Sequence, residues 1–167
     1  GIRRDFTYDV TVTQGDQSAK IPVYNHTEES ACNGRGSGGD HNRRFAMFAF
    51  DGTGVRVDIK VKADFGKYAV MPSAKRFKTR FRDGVISVFM DKPDYFLIRM
   101  DDDENTILSI FADDIADTSK IPDKNDPDVI WIDGWYETEN GLYDLMEDNK
   151  TLYLAPGSVF NVRAVLK

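Results

Sequence analysis

Cysteine is almost absent from this sequence: Cys32 stands alone among 167 residues, so no internal disulfide can form and no thiolate-rich zinc site can assemble. Histidine is nearly as scarce, with only His26 and His41. No apolar run approaches the roughly 20 residues that a membrane-spanning helix needs, and no signal-type hydrophobic region lies near Gly1. A chain opening on Gly rather than Met is expected to be a processed or shortened form. Positive charge is also in deficit. Twenty-two basic residues against 28 acidic ones leave a formal net charge of −6, whose field repels phosphate backbones and anionic lipid. Neither nucleic acid nor a membrane is expected as a partner. The basic residues that do cluster, Lys75, Arg76, Lys78, Arg80 and Arg82, alternate with Phe77, Thr79 and Phe81. That pattern reads as one exposed strand face, not an anion groove.

Helical periodicity is nearly missing as well. Only Asn140–Glu147, through Leu142, Leu145 and Met146, has a partial 3.6 period, worth one or two turns. Period two dominates instead, as in strands with one buried face. Phe6, Tyr8, Val10 and Val12 alternate with Thr7, Asp9, Thr11 and Thr13, and Gln14-Gly15-Asp16 then turns the chain. Ile21-Pro22-Val23-Tyr24 reads as a short second strand whose Pro22 keeps it at a sheet edge or strand end. Phe45–Phe50 is strongly apolar, and Asp51-Gly52-Thr53-Gly54 reads as a tight hairpin connection into Val55–Val61. Further strands are expected at Tyr68–Met71, Phe77–Phe81, Val85–Met90, Tyr95–Met100, Ile107–Ala112, Val129–Ile132, Thr151–Ala155 and Val159–Val165, with a two-residue turn at Asp83-Gly84. Turn signals every 8–12 residues or so, and 41% hydrophobic residues to fill one core, predict an all-β fold. We expect a single antiparallel β-sandwich over residues 1–167, of about 10–12 strands and at most one short helix. The last strand pattern runs to the chain end with no polar close, as a lead-in to a further structure would.

Residues 25–44 interrupt the pattern with Gly, Asn, Ser, Glu and Arg, a composition with little to bury, and read as a long surface loop. Within it, Asn33–Gly39 is rich in glycine but lacks the Gly-Lys-Ser/Thr ending and the strand and helix that flank a phosphate cradle. A flexible loop is the better reading. Asp101-Asp102-Asp103-Glu104-Asn105 spaces oxygens like the start of a calcium loop, but Thr106 replaces the turn glycine and Ala112 the bidentate Glu. A solvated turn fits better. His26 and His41 face no Gly-x-Ser-x-Gly elbow, and no spacing singles out a carboxylate pair among the acids, so no catalytic residue, metal ligand or cofactor site is assigned. Aromatic residues are the remaining signal. Trp131, Trp135 and Tyr136 lie close together, and Trp or Tyr rings combine apolar faces with a polar handle, which suits partly wet sites where sugar rings stack. Trp131, between Ile130 and Ile132, also fits core or interface packing; Trp135 and Tyr136, just past Gly134, fit a ligand or interdomain contact.

The order of the strand motifs carries a resemblance. Phe6–Thr13, Ile21–Tyr24, Phe45–Gly52, Val55–Val61, Val70–Ser73, Val85–Met90, Pro93–Ile98, Ile107–Ala112, Asp128–Trp131 and Thr151–Phe160, with its Tyr-Leu-Ala-Pro-Gly stretch, follow one another in a familiar way. Together they resemble the N-terminal β-sandwich that precedes the right-handed β-helix in the dextranase and isopullulanase family and in related polygalacturonase-like glycoside hydrolases. In that family a segment similar to Thr151–Phe160 leads into the first coils of the β-helix. The resemblance implies a non-catalytic accessory module of a secreted, cell-surface or periplasmic polysaccharide-degrading enzyme. Its expected partners are a catalytic β-helix, on which it packs, and a polysaccharide, touched through Trp135, Tyr136, Trp131 and Tyr24. No catalytic residue carries over, because the family's aspartates sit on the β-helix and this chain has no Asn-Thr-Asp, Gly-His-Gly or Arg-Ile-Lys motif. The alternative is an independent carbohydrate-binding or cell-surface adhesion domain.

Overall fold

The computed structural model describes residues 2–27, 42–139, 141–145, 148–160 and 162–166. Cys32, His41 and the stretch Asn33–Gly39 lie outside the described residues. Among the described residues, seventeen strands, numbered here in chain order, and three single-turn 3-10 segments make up the regular structure, so the chain is all-β as expected, with more strands than the sequence pattern suggested. They fall into two compact units, Gly1–Ala116 and Asp117–Lys167.

The first unit is the sandwich. One sheet runs β1 (Ile2–Arg4), β4 (Val23–Thr27), β5 (Asn42–Phe50), β11 (Leu108–Asp114), β10 (Asp94–Met100) and β7 (Tyr68–Met71). The other runs β3 (Gln17–Ile21), β2 (Tyr8–Gln14), β6 (Val55–Val61), β9 (Val85–Met90) and β8 (Lys78–Arg82). All neighbours are antiparallel except β5 and β11, which run parallel. Alternate residues of both sheets point to one core: Val57, Ile59, Ile86 and Val88 meet Ala46, Phe96, Ile98, Leu108 and Ile110, each wholly shielded from solvent. The strand read over Phe6–Thr13 is β2, with Gly15 at a φ of 55° between the paired ends Gln14 and Gln17, but Ile21–Tyr24 is not one strand: Pro22 separates the end of β3, in the five-stranded sheet, from the start of β4, in the six-stranded one.

The connection expected between residues 45 and 61 changes character. Residues 45–61 do not form a hairpin: β5 belongs to the six-stranded sheet and β6 to the five-stranded one, so Asp51–Gly54 carries the chain from one layer to the other. Asp51 holds that crossing by accepting from the Thr53 amide and hydroxyl and from the Gln14 side chain. A short Gly-containing connection looks the same in sequence whether the second strand pairs with the first or faces it. The Asp83-Gly84 turn, by contrast, is a true two-residue hairpin. Arg82 pairs with Val85, and both turn residues have positive φ, 51° and 76°. Of the basic cluster, Lys78, Arg80 and Arg82 lie on the edge strand β8, exposed along its whole length, where Lys and Arg discourage pairing with another chain, whereas Lys75 and Arg76 precede it at a 3-10 turn and Lys75 is paired with Asp94.

A polar node ties the sandwich together near the Asp101–Asn105 turn. Arg44 on β5 is ion-paired with Asp5 at 2.9 Å and also donates to the Asn105 carbonyl, while the Tyr8 hydroxyl on β2 donates to the Thr106 carbonyl. Burial pushes the Asp5 carboxyl up, but donors from Thr7 and Arg44 outweigh it and hold the group below its usual range. Burial raises the Tyr8 hydroxyl.

The second unit corrects the expectation that one antiparallel sandwich spans 1–167. Its strands β12 (Val129–Ile132), β13 (Trp135–Tyr136), β14 (Leu142–Leu145), β15 (Thr151–Leu154), β16 (Val159–Phe160) and β17 (Arg163–Leu166) form three pairs, all parallel: β12 with β15, β13 with β16, β14 with β17. Val129 pairs with Thr151, Trp135 with Val159 and Leu142 with Arg163, so the chain completes a circuit and stacks on itself after 21 to 24 residues. This is the connectivity of a parallel coil, in which each repeat buries itself against the next. The short helix expected within Asn140–Glu147 is the strand β14 instead, because a parallel partner 21 residues away supplies backbone pairing that a three-residue leucine spacing cannot reveal. Glycines at positive φ make the corners: Gly134 at 81° follows β12 and Gly157 at 81° follows β15. The Val159 amide donates to the Gly134 carbonyl at 2.8 Å, locking one corner over the other.

Candidate functional site

The aromatic residues singled out in sequence take different places. Trp131 and Tyr153 are register partners on β12 and β15, and their rings lie 4.4 Å apart at 38°. Tyr136 and Phe160 are register partners on β13 and β16, stacked at 5.5 Å and 14°, with Tyr143 edge-on to both. In a parallel, in-register pair identical positions fall side by side, so an aromatic in one circuit meets an aromatic in the next. Both rings are therefore half-buried within their own unit. The Trp131 indole N–H is buried without a hydrogen-bond partner, and Lys124 Nζ stands 5.4 Å from its ring centroid. Trp135 is different. Its neighbour Tyr136 turns in while Trp135 turns out, 48% exposed, with its indole N–H donating to Glu137 at 2.9 Å. Tyr24 lies in the other unit, on β4 of the sandwich, half-buried with its ring against Phe45 at 5.7 Å and Arg4 5.3 Å from its centroid.

Tyr24 belongs to a larger surface that sequence reading passed over. On β5 the inward residues Ala46, Phe48 and Phe50 alternate with outward Phe45, Met47 and Ala49, so the strand is apolar on both sides. Register extends this outward face sideways: Tyr24 sits beside Phe45 on one flank, and Tyr95 beside Phe111, which is beside Met47, on the other. Tyr95, Phe111 and Met47 are 50%, 41% and 56% exposed. A solvated sheet face alternates to polar residues; one that does not is a place for contact. The signal was present in Phe45–Phe50, six consecutive apolar residues where a one-sided strand shows three.

At the end of β10 and β11 this face dips into a shallow groove of about 250 Å³ lined by Pro93, Asp94, Tyr95, Phe111, Asp113 and Asp114. Lys75 reaches into it. Its ammonium sits 3.4 Å from the Tyr95 ring centroid and donates to the Asp94 carboxylate and the Tyr95 carbonyl. The Lys75 contact, together with the Tyr95 amide, holds Asp94 below the usual carboxylate range.

No family model matches this chain, and no curated protein matches it. Among solved structures it is similar to Dex49A from Penicillium minioluteum, with a TM-score of 0.58 and 14% sequence identity, over 93% of this chain and 36% of that one. The likeness is one of fold. This chain spans about a third of the length of that structure.

The acidic turn Asp101–Asn105 is accounted for by local contacts. Asp101 accepts from the amides of Gly66 and Lys67, Asp102 pairs with Lys67 and Arg99, and Asp103 caps the turn through the Asn105 amide. Among the described residues no three His, Cys, Asp or Glu side chains gather as metal ligands would. No helix among them is long and apolar enough to cross a membrane.

Proposed function

We propose that this chain is the accessory β-sandwich and an early parallel coil of a secreted, polysaccharide-degrading glycoside hydrolase, in which the coil continues as a catalytic β-helix. One observation carries the reading: three parallel strand pairs, in chain order, directly after a two-layer sandwich. Each strand of the coil has one hydrogen-bonded neighbour among the described residues, and solenoid units of this kind gain stability by stacking on further repeats. The likeness to Dex49A, a dextranase, supports the same combination. The sandwich supplies no nucleophile or acid–base pair in this reading. It packs on the catalytic β-helix and assists with substrate, through the exposed Trp135 and the rings around Tyr24, with Trp131 and Tyr136 buttressing the coil beneath. Neutral and acidic plant or microbial glycans are the candidate substrates.

The test is to express the protein encoded by the full reading frame and to measure reducing-end release from dextran, pullulan and polygalacturonate. The proposal expects hydrolysis of at least one of them by that protein and none by residues 1–167 alone. No hydrolysis of any glycan by the full-frame protein overturns it, as does a frame without further parallel-coil repeats.

A further inference from the structure

The groove between Tyr95 and Phe111 has features that the accessory role alone does not require. Two large rings stand half exposed on adjacent strands, in register, with Met47 beside Phe111 and Leu97 beyond Tyr95 on the same outward face. Burying neither ring in its own fold leaves apolar area in water at a cost that a contact would recover. Around the rings stand three carboxylates, Asp94, Asp113 and Asp114, and one ammonium, Lys75.

We propose that this groove on the outer face of the six-stranded sheet binds a neutral glucan chain, with Tyr95 and Phe111 as the stacking platform. The inference rests on the polysaccharide-degrading reading above and names the class of glycan and the place it docks. Three arguments select the occupant. Ring faces of Tyr and Phe complement the C–H faces of a pyranose, and rings on adjacent strands are set side by side, the strands about 4.8 Å apart, so that one extended chain can run across both. Carboxylates beside the rings accept hydrogen bonds from sugar hydroxyls, and charge-assisted bonds of that kind are the stronger ones. The local excess of negative charge, three carboxylates to one ammonium, disfavours a uronate chain or any phosphate-bearing ligand. A flat apolar protein surface fits less well, since docking would strip water from the carboxylates without providing donors. By pinning Asp94 and lying on one face of the Tyr95 ring, Lys75 holds both in one orientation before any sugar arrives.

The experiment is affinity electrophoresis of residues 1–167 in native gels containing dextran, pullulan or polygalacturonate, for the unaltered chain and for Tyr95→Ala, Phe111→Ala and Arg80→Ala. The proposal expects retardation by a neutral glucan, none by polygalacturonate, at least tenfold weaker retardation in Tyr95→Ala and Phe111→Ala, and an unchanged response in Arg80→Ala on the opposite, charged face. Because both groove rings are exposed, the variants should keep the far-ultraviolet circular dichroism of the parent; Tyr95→Ser and Phe111→Ser serve as second variants if they do not. No retardation by a neutral glucan, retardation that survives loss of both rings, or retardation by polygalacturonate alone overturns the inference. Hydrolysis of a glycan by the full-frame protein, with its groove variants binding normally, would sink this site and leave the proposed function standing; absence of any hydrolysis would sink the proposed function independently.

Discussion

The two outer faces of the sandwich differ sharply, although both sheets close on one core. On the five-stranded sheet the outward positions of β2 and β6 are Asp9, Thr11 and Thr13 against Arg56, Asp58 and Lys60, a charged and hydroxylic surface with ion pairs at Arg56–Asp58 and Lys62–Asp9. On the six-stranded sheet Tyr24, Phe45, Met47, Phe111 and Tyr95 form a continuous run of outward positions, with Ser109, Asp113 and Arg99 around it. Alternation ends where contact begins. The core beneath does not explain the difference, because it draws equally on inward residues of both layers. What separates the faces is the use of the side turned away from the core: one is kept wet, the other is kept available.

That contrast can be broken from inside and from outside. The largest effect is expected beneath both faces: Phe96→Ala, which empties a fully buried site, should lower unfolding free energy by about 3–5 kcal/mol in denaturant titration. Next comes the node that joins the layers. Asp5→Ala leaves Arg44, itself mostly buried, without its carboxylate and should cost about 2–4 kcal/mol. The pair also sets a pH dependence. Since Asp5 is held below its unfolded value, its contribution is present above an unfolded carboxylate pKa of about 3.9 and is lost as pH falls through the lower folded value. Thermal unfolding midpoints should therefore drop below about pH 4 in the parent and drop less steeply in Asp5→Asn. The outer faces should respond least in stability. Arg80→Ala on the charged side and Phe111→Ala on the apolar side should each stay within roughly 0.5–1 kcal/mol of the parent, yet only Phe111→Ala should alter glucan retardation. A large stability loss in Phe111→Ala would mean that this face is packed against something within the chain, and the comparison would fail.

Much of the strand layout was legible from period two alone. Val55–Val61, Tyr68–Met71, Val85–Met90 and Val129–Ile132 have the bounds that their apolar alternation suggests. Pairing was not legible, because alternation reports which side of a strand is buried and says nothing about its neighbour. For that reason Phe45–Val61 looked like a hairpin while joining two layers, and the segment after Asp117 looked like more sandwich while forming parallel pairs with partners 21 to 24 residues away. Leu142 and Leu145 mimicked a helical turn for the same reason. Among the ring residues after Gly134, Trp135 is half exposed while Tyr136 stacks on Phe160, a difference set by the pairing of β13 with β16 and not by the position of either in the sequence. Tyr95 and Phe111 were overlooked because each sits singly in an ordinary alternating strand; only the register that sets them side by side makes them a surface.

The account depends on the coil after Asp117 being an early turn of a glycan-degrading β-helix that the sandwich serves. Reducing-end release from dextran and pullulan by the full-frame protein, compared between parent and the Tyr95→Ala, Phe111→Ala double variant, tests it most directly. The account predicts activity in the parent, with the double variant impaired on long glucan and equal to the parent on short oligosaccharides. Full-frame protein that releases nothing from any glycan would contradict it.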